Sequence, residues 1–336
     1  MVYLASVVKT TPNGEDMDFD RIGYGSCRLC PHACAVDRSR GELGVCGEDT
    51  TMRIAWMGLH RGEEPPLVGE KGSGTVFFTG CPLHCRYCQN RQISTRNSEA
   101  GTPVTVEQFA SLLIDLQSFG AANVNLVTGT HFIPSIIQSL ELARQKGVSL
   151  PVVWNSSGFE AVDALKMIDP HIDTYLIDLK TLDVQVAKTF CGSADYIAHI
   201  EKVIGFLVAR HPATGMEQGV LRGTLVRHLL FPGTEKATEE VLRWFAAHAK
   251  HAAWLSLMVQ FVPPKGMEAS LPEITEEAYD RLLELLDELG IEDGFVQELA
   301  DNIPWIPDFE RDNPFPRSFA DPLPEFLQLK HRLLNR

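Results

Sequence analysis

The sequence predicts an α/β fold built on a parallel sheet, and two patterns predict it. From Gly74 onward, short runs of β-branched residues alternate with helical patterns in which apolar residues recur every three or four positions. Strands that alternate with helices pair in parallel through right-handed crossovers. Polar residues also collect after successive predicted strands, at the edge where such folds place their sites. An open doubly wound sheet and a partial barrel both fit this periodicity.

Six strands are predicted from these runs, and helices separate them. The strands cover residues 75–80, 123–129, 151–158, 174–180, 223–233 and 254–262. Helical patterns follow Thr105 and Pro134 and cover 160–168. Further helical stretches lie between the strand at 174–180 and about residue 212, and two more cover 236–250 and 275–289. The Pro- and Phe-rich stretch from Pro304 to Pro324 predicts an extended segment that wraps over the body.

The helix after Thr105 carries the clearest local signals. Thr105 is a helix-capping residue, and Gln108 three positions later completes a capping box. The apolar residues of this helix form one stripe, made of Phe109, Leu112, Leu113 and Leu116. Gly120 then ends the helix, as glycine often does at a helix C-terminus.

The composition excludes several classes of function. The chain has 336 residues, 44% of them hydrophobic, and 30 Lys and Arg stand against 44 Asp and Glu, for a formal charge of −14. Because such a surface repels phosphate backbones, we do not expect nucleic acid as a partner. There is no run of about 18 apolar residues that could span a bilayer, and the first residues, MVYLASVVKT, carry no basic leader. We therefore expect a cytoplasmic protein without a membrane partner.

Seven of the eight cysteines fall in two clusters, and Cys191 stands apart. In a reducing cytosol, clustered cysteines bind metal or do redox chemistry more often than they form disulfides. The spacing therefore predicts two metal sites, whereas Cys191 is expected to be packed rather than reactive.

The first predicted site is the stretch TGCPLHCRYCQN, in which Cys81, Cys85 and Cys88 directly follow a predicted strand. This C-x3-C-x2-C spacing places three thiolates around one small volume, and thiolates are the preferred ligands of iron–sulfur clusters. Three protein ligands leave one iron of a four-iron cluster open, which is typical of a metal that binds substrate. The structural alternative is a zinc knuckle that borrows a histidine such as His84.

The second predicted site uses four cysteines in C-x2-C-x3-C-x11-C spacing, namely Cys27, Cys30, Cys34 and Cys46. Four thiolates form a closed site, which predicts a role in structure or in electron transfer. Zinc and an auxiliary iron–sulfur cluster both satisfy the count, and the spacing does not distinguish them. A redox-active cluster at the first site would need a supply of electrons, and an iron–sulfur cluster here could deliver them, which favours iron–sulfur.

The cysteine trio, with the aromatic Tyr87 before its last member, resembles the C-x3-C-x-aromatic-C signature of the radical S-adenosylmethionine (SAM) enzymes. The segments GEEPPLVGEKGSGTVFFTGCPLHCRYCQN, NVNLVTGTHFIP, VVWNSSGFE, TYLIDLK and LVRHLLFPG resemble, in this order, the uncharacterised pyruvate formate-lyase activating enzyme-like branch of that superfamily. The resemblance covers most of residues 25–265.

The resemblance implies a partial (β/α)6 barrel and the cofactors [4Fe-4S] and SAM. It also implies reductive cleavage of SAM to a 5′-deoxyadenosyl radical that abstracts hydrogen, with flavodoxin or ferredoxin as the electron donor.

The same resemblance implies which residues hold SAM. Besides Tyr87, they follow successive strands: Thr128, Gly129, Thr130, Asn155, Ser156, Asp178, Lys180 and Arg227. Asp178 and Lys180 match the Asp-x-Lys motif of the activating enzymes. Asn155 stands where those enzymes have an aspartate that helps to hold a monovalent cation. Arg227 and His228 are candidates for contacts with the SAM carboxylate or the substrate, and a buried salt bridge to a neighbouring strand is the alternative for Arg227. His131 is a candidate proton donor or else a hydrogen-bonded turn residue.

Three segments are expected along the chain: a cysteine-rich module over residues 1–70, a radical SAM core over 71–265, and a C-terminal helix with an extended tail over 266–336. The leading function is hydrogen abstraction from a protein or peptide, in particular from a backbone glycine, as the resemblance implies. A small-molecule substrate is the alternative within enzymes, and a closed active-site mouth would favour it over an open groove. A non-catalytic metal-binding scaffold is the alternative outside enzymes, and a trio with only three ligands argues against it.

Overall fold

The structure is a computed structural model that describes residues 23–95, 101–264, 272, 274–299 and 306–334. The N-terminal stretch that bears on a leader sequence lies outside these residues, as does Pro304 at the start of the predicted extended segment. Among the described residues, no helix combines the length and the apolar character that a membrane crossing requires.

The described strands form one eleven-stranded sheet. They are β1 (Arg53–His60), β2 (Ser73–Phe78), β3 (Thr102–Pro103), β4 (Val124–Val127), β5 (Val152–Ser156), β6 (Thr174–Asp178), β7 (Gly215–Glu217), β8 (Val220–Leu229), β9 (Ala253–Met258), β10 (Gly294–Val296) and β11 (Ala320–Pro322). Their order is β10-β9-β8-β6-β5-β4-β2-β1-β11, with β3 beside β1 and β7 beside β8. The strands from β10 to β2 run parallel, and β1 and β11 continue the sheet antiparallel. The six predicted strands are confirmed as β2, β4, β5, β6, β8 and β9.

Helices connect the parallel strands. They are α1 (Pro65–Val68), α2 (Arg91–Ser94), α3 (Val106–Phe119), α4 (Ile133–Gln145), α5 (Val162–Ile168), α6 (Val184–Val186), α7 (Tyr196–Arg210), α8 (Glu235–His248), α9 (Glu276–Leu289) and α10 (Pro324–Leu334). The capping box at the start of α3 is confirmed, because Thr105 and Gln108 each accept the main-chain N–H of the other. Gly120 ends α3 in the left-handed conformation, as predicted.

The long helices cover one face of the sheet, and this decides between the two predicted architectures. In β2, Val76 and Phe78 belong to the core that contains the buried faces of the long helices, whereas Phe77 between them belongs to a separate cluster on the other face. In β5, Trp154 lies among the helices and Val153 on the other face. A doubly wound sheet has helices on both faces. The fold is therefore the partial barrel.

Packing across the second face shows that the sheet curves. Leu67 in α1 follows β1 in the chain, yet it packs against Leu176 in β6 and Leu225 in β8. These strands lie several positions away from β1 in the sheet order. The second face is therefore concave, and α1 fills one end of it.

The C-terminal segment fills another part of the concave face. Phe309 and Phe315 pack on Trp56 and Phe77, and the ring centroids of Trp56 and Phe315 are 5.0 Å apart. The segment lies over the body as expected, but its described residues 306–319 run through turns and bends and are not extended. For example, the Asp308 N–H donates to the Pro314 carbonyl oxygen at 3.1 Å.

The C-terminal segment ends in β11 and then in α10, a helix that the sequence analysis missed. Its signal was present, because Phe326, Leu329 and Leu333 lie at helical spacing and Pro324 stands at the first position.

The strand β1 lies inside the predicted cysteine-rich module but belongs to the sheet. Its sequence, RIAWMGLH, is a continuous apolar run without strict alternation, and its residues from Ile54 to His60 are buried. Such runs cannot be assigned to strand or helix by periodicity alone. As a result, the cysteine-rich residues before β1 are tied directly to the strand that precedes the trio.

Candidate active site

The cysteine trio lies on the loop that leaves the carboxyl end of β2. Burial raises the pKa of the Cys81 thiol to about 12, and the nearby thiols of Cys85 and Cys88 act in the same direction. The three sulfurs therefore lie close enough to interact, as the spacing predicts. A buried group of thiolates needs compensation by positive charge, which a metal cluster supplies.

Two of these sulfurs also accept hydrogen bonds. The main-chain N–H of Leu83 donates to Cys81 Sγ at 3.4 Å, and the Ser94 hydroxyl donates to Cys88 Sγ at 3.5 Å. Hydrogen bonds to cysteine sulfur are one of the means by which proteins tune iron–sulfur clusters. The donor set of three partly buried sulfurs, two of them with an N–H or O–H partner, therefore fits a cluster.

A buried lysine faces the trio. The Lys180 ammonium donates to Asp178 Oδ2 at 2.9 Å and lies 5.4 Å from the centre of the Tyr87 ring. Burial lowers the pKa of Lys180, but Asp178, Tyr87 and Cys85 outweigh it, so the pKa lies well above its ordinary value. The predicted pair Asp178 and Lys180 thus presents a permanent positive charge beside the cysteine loop.

Aromatic rings enclose this charge. The predicted residue Tyr87 is buried, and its ring centroid lies 4.7 Å from that of Phe231. Phe190 stacks on Phe231 with the ring centroids 4.5 Å apart, and Phe261 completes the group. Such a wall lowers the local dielectric and strengthens the electrostatic interactions inside it.

Cys191 lies beside the trio, a position that its place in the sequence does not indicate. It ends a short π-helical turn, Ala187–Cys191, and its side chain is fully buried. The hydrogen bond between the Cys85 and Cys191 thiols is the largest cause that raises the pKa of Cys85, ahead of burial. Cys191 is packed, and its neighbour is a predicted metal ligand.

The loop after β4 places its predicted residues in different roles. Thr128 has φ of +58°, and its N–H donates to the Asn155 carbonyl at 2.9 Å. A side chain at Gly129 would come within 2.8 Å of Ile136 and 3.2 Å of Trp154, so only glycine fits there without displacement. The Thr130 hydroxyl donates to Glu160 at 2.8 Å and is buried. The main chain of this loop is therefore better placed for a ligand than the Thr130 side chain.

Glu160 is a buried acid that the sequence reasoning did not single out. One of its carboxylate oxygens accepts hydrogen bonds from the hydroxyl groups of Thr130 and Ser156, and burial raises the pKa of Glu160. The Trp154 indole is a further hydrogen-bond donor to the carboxylate and acts to lower the pKa of Glu160. The signal in the sequence was the spacing of Glu160 four residues after Ser156. Ser156 thus binds Glu160, whereas its neighbour Asn155 lies on the concave face by strand alternation.

His131 occupies the position of a structural turn residue. Its Nε2 lies 2.7 Å from the Thr79 carbonyl oxygen, and its side chain is almost completely buried. Burial, and then the charge of Arg38, lower the pKa of His131 to about 3. The imidazole is therefore neutral near pH 7, which favours the hydrogen-bonded alternative over the proton donor.

Arg227 forms a salt bridge, the alternative to a contact with SAM or substrate, but its partners are not on a neighbouring strand as expected. Its Nε donates to Glu64 Oε1 at 2.7 Å, and Glu63 binds the same guanidinium. Both acids come from the connection between β1 and α1, and not from a neighbouring strand. His228 is likewise engaged: its ring nitrogens lie 2.7 Å from the Leu179 carbonyl oxygen and 2.9 Å from the Thr238 hydroxyl.

Polar atoms without hydrogen-bond partners among the described residues also lie in the interior. Asn125 is fully buried in β4, and neither its amide nitrogen nor its amide oxygen has such a partner. Trp56 Nε1 and His60 Nε2 are likewise buried without a hydrogen-bond partner among the described residues. Unpaired buried polar atoms are costly unless water or a ligand satisfies them. The only signal in the sequence was a lone asparagine in an apolar strand.

The sequence profile of the Radical SAM superfamily matches residues 75–245, just over half of the chain. The chain belongs to the radical SAM superfamily. The family implies a [4Fe-4S] cluster and SAM as cofactors, which agrees with the donor set found on the loop after β2.

This radical SAM protein is also similar to several individual proteins. An uncharacterised protein of Methanocaldococcus jannaschii is 25% identical over 279 residues, which cover 80% of this chain and 76% of that protein. The pyruvate formate-lyase-activating enzyme of Clostridium pasteurianum is 25% identical over 156 residues, or 43% of this chain and 63% of the enzyme. Among solved structures, a radical SAM methyltransferase from Sphaerobacter thermophilus matches with a TM-score of 0.47 and 14% identity, over 67% of this chain and 66% of that one.

The thiols of the second cysteine set in this radical SAM protein also lie around one region. A side chain at Gly44 would lie 3.2 Å from Cys46 Sγ and 3.6 Å from Cys34 Sγ, so these two sulfurs flank one point. Burial raises the pKa of Cys30 to about 12, and Cys27, Cys46 and Cys34 all act on it in the same direction. The structure thus brings together all four predicted thiols.

A buried arginine accompanies this second set, and sequence reasoning missed it. Arg38 is fully buried, and its guanidinium donates to the main-chain oxygens of Glu48, Asp49 and His131. Its Nη1 lies 4.0 Å from Cys27 Sγ. A buried guanidinium held by neutral carbonyl groups is compensated when an anionic group lies beside it.

Proposed function

We propose that this protein is a radical SAM enzyme that cleaves SAM reductively at a [4Fe-4S] cluster on Cys81, Cys85 and Cys88 and uses the product radical to abstract hydrogen. Bound there, the cofactors supply one-electron cleavage of the sulfonium to methionine and a 5′-deoxyadenosyl radical. The observation that carries the proposal is the group of three partly buried thiols beside the charged Lys180, and two of these thiols accept hydrogen bonds from Leu83 and Ser94. It rests also on the family to which the chain belongs.

The residues around the trio have distinct tasks in this proposal. Lys180 offers its ammonium to the SAM carboxylate, and Asp178 holds that ammonium in place at 2.9 Å. The main chain of Thr128 and Gly129 and the amide of Asn155 face the SAM amino group. The aromatic wall of Tyr87 and its neighbours excludes water, which protects a radical from side reactions.

For the substrate we propose hydrogen abstraction from a protein or peptide glycine, and the similarity to an activating enzyme supports it. A small-molecule substrate is the second candidate, and one observation favours it. Phe309 and Phe315 pack on Trp56 and Phe77 and fill part of the concave face, which leaves less room for an extended peptide. Adding macromolecular and small-molecule fractions of a cell extract separately to the enzyme tests this choice. The fraction that raises 5′-deoxyadenosine formation contains the substrate.

The central test is anaerobic reconstitution with iron and sulfide, followed by SAM and dithionite, with 5′-deoxyadenosine as the product measured. Wild type should cleave SAM, and Cys81→Ala should not. Cys191→Ala is the matched control, because it removes a neighbouring thiol without removing a proposed ligand, and it should keep the iron of the trio. A wild-type protein with a full cluster and no cleavage would instead support the metal-binding scaffold.

A further inference from the structure

We infer that Cys27, Cys30, Cys34 and Cys46 hold a second iron–sulfur cluster that accepts an electron from an acidic donor protein and passes it to the cluster on the trio. This inference rests on the proposed function, since it assigns the route by which the catalytic cluster is reduced. Three relationships in the structure carry it: the arrangement of the four thiols, the contact between the two cysteine loops, and a cavity that reaches Cys30.

The arrangement of the thiols favours an iron–sulfur cluster over zinc. A zinc site holds its sulfurs about 2.3 Å from one point. Within the described part of the chain, no three His, Cys, Asp or Glu side chains are gathered closely enough to hold a single ion. The four thiols nevertheless surround one region, with Cys34 and Cys46 on either side of Gly44. A cluster of several irons separates its ligand sulfurs more widely than one ion does, so it matches this looser arrangement.

A buried positive charge lies beside the thiols and also interacts with the buried Glu48 carboxylate. Arg38 brings a buried guanidinium to within 4.0 Å of Cys27 Sγ, and the hydrogen bonds of this guanidinium go to neutral main-chain oxygens. An iron–sulfur cluster with four thiolate ligands carries net negative charge. Arg38 would stabilise this negative charge.

The two cysteine loops are in direct contact. His84, between Cys81 and Cys85, lies with its Nε2 3.0 Å from the carbonyl oxygen of Val45, which precedes Cys46. In the opposite direction, His32 Nε2 lies 2.7 Å from the carbonyl oxygen of Pro82. Each ligand loop therefore sends a histidine to the main chain of the other.

Glycine at position 80 brings the two loops still closer. Gly80 directly precedes Cys81, and a side chain there would lie 2.9 Å from the Cys46 carbonyl oxygen. The main chains that carry a ligand of each site are thus in van der Waals contact. This close approach gives an electron a short path through protein from one site to the other.

A cavity of about 280 Å³ reaches the four-cysteine site on the side where Cys30 lies. Its lining includes Cys30, His199, Glu160 and the exposed cations Arg28 and Lys202. Of the two lining acids, Glu160 is buried away from the rim, and Asp163 is paired with Lys166 at 2.9 Å. The rim is therefore locally cationic on a chain of charge −14. Such a rim attracts an acidic donor protein, and flavodoxin serves as the probe for it.

The electron balance is simple. Reduced flavodoxin loses one electron, and the cluster on the four cysteines gains it. That cluster then returns to its oxidised state by reducing the cluster on the trio. The same electron finally cleaves one carbon–sulfur bond of SAM. Zinc has no redox chemistry, so a zinc ion at the four cysteines cannot take part in this sequence.

The test compares two reductants on the reconstituted full-length protein. Dithionite is small and reduces the trio cluster directly, whereas flavodoxin must dock. In Cys30→Ser/Cys46→Ser, we expect loss of one of two cluster signals in electron paramagnetic resonance and less iron per chain. SAM cleavage with dithionite should persist, and cleavage with reduced flavodoxin should fall to the level without donor.

A second variant keeps all cysteines and so avoids the risk of misfolding. Lys202→Glu reverses a charge at the cavity rim, and it should lower the flavodoxin-driven rate by roughly tenfold at low salt. Lys236→Glu makes the same change at an exposed site on α8 and should leave the rate unchanged.

The outcomes separate the two proposals. Zinc in place of iron at the four cysteines, or flavodoxin-driven cleavage that is equal in wild type and in the double cysteine variant, overturns the relay. Equal rates in Lys202→Glu and Lys236→Glu overturn docking at the cavity. No cleavage by wild type with dithionite overturns the proposed function instead, and the resonance and iron measurements still report on the second cluster.

Discussion

Glu64 holds Arg227 through two hydrogen bonds, with Nε 2.7 Å from Oε1 and Nη2 2.5 Å from Oε2. The pair joins the connection after β1 to β8 across the concave face, and the two side chains are 14% and 7% exposed. Bidentate pairing of this kind is among the strongest forms of charge recognition in proteins. It secures the curvature of the sheet beneath the proposed SAM site.

The first prediction concerns this pair. Glu64→Ala removes one of the two carboxylates that bind the Arg227 guanidinium, and because Glu63 remains, it should lower the free energy of unfolding by ~1.5–3 kcal/mol. Urea denaturation measures the change. Asp321→Ala is the control, because it breaks the half-exposed pair with Arg61, and it should cost at most about 1 kcal/mol. Equal losses in the two variants would contradict the structural importance of the buried pair.

The second prediction concerns Lys180. Hydrogen bonds to charged groups contribute about 1.5–3 kcal/mol, so Lys180→Met should weaken SAM binding by roughly ten- to a hundredfold. Equilibrium dialysis of the reconstituted protein measures the affinity. Lys188→Met makes the same change at an exposed position eight residues later and should bind SAM like wild type. Iron content must be equal in all three proteins, and unchanged affinity in Lys180→Met would exclude the proposed carboxylate contact.

The third prediction is a pH dependence from His131. Its pKa in the folded protein is about 3, and in the unfolded chain it is about 6.5. Between these values the unfolded state binds more protons, so stability is lost as pH falls below about 6.5. From about pH 7 to about pH 5 this residue should contribute a loss of ~2 kcal/mol.

The variant His131→Gln tests this, because it keeps a donor for the Thr79 carbonyl but does not titrate. Urea denaturation at both pH values should show a smaller loss than in wild type. A proton donor at position 131 predicts something else, namely a strong fall in turnover of this variant at every pH.

The fourth prediction concerns the contact between the two cysteine loops. A side chain at Gly80 would lie 2.6 Å from Glu48 Cγ, and the residue has φ of +76°. Gly80→Ala should lower the free energy of unfolding by ~1–3 kcal/mol and expose the residues before β1 to protease. Gly219→Ala is the matched control, with φ of +82° and no atom within 4 Å of the added carbon. If both variants resist protease equally, the close approach at Gly80 does not hold the module.

Local patterns predicted the elements well because their signals are local. The capping box of Thr105 and Gln108 depends on residues three positions apart, and the structure confirms it. The strands β2, β4, β5, β6, β8 and β9 were predicted from short β-branched runs. In contrast, β1 was not predicted, because its continuous apolar run has no periodicity that separates a strand from a helix. The helix α10 was also missed, although Phe326, Leu329 and Leu333 lie at helical spacing.

The site shows the same division. Spacing alone grouped the cysteines into a trio and a set of four, since ligands on one loop must be near in sequence. No spacing indicated that Cys191 lies beside Cys85, because more than a hundred residues separate them. Arg38 and Glu160 were also missed, since their importance comes from burial.

Patterns along the chain were enough to establish the alternation of strands and helices, the two cysteine sets and, through the motifs, the family. The folded structure was needed to show that the long helices cover one face, so that the sheet is a partial barrel. It alone decided that Arg227 pairs with Glu64 and that the two cysteine loops touch through His32 and His84. The physical reason is that periodicity and spacing encode contacts between near neighbours. Burial and charge compensation depend on which distant segments meet in the folded chain.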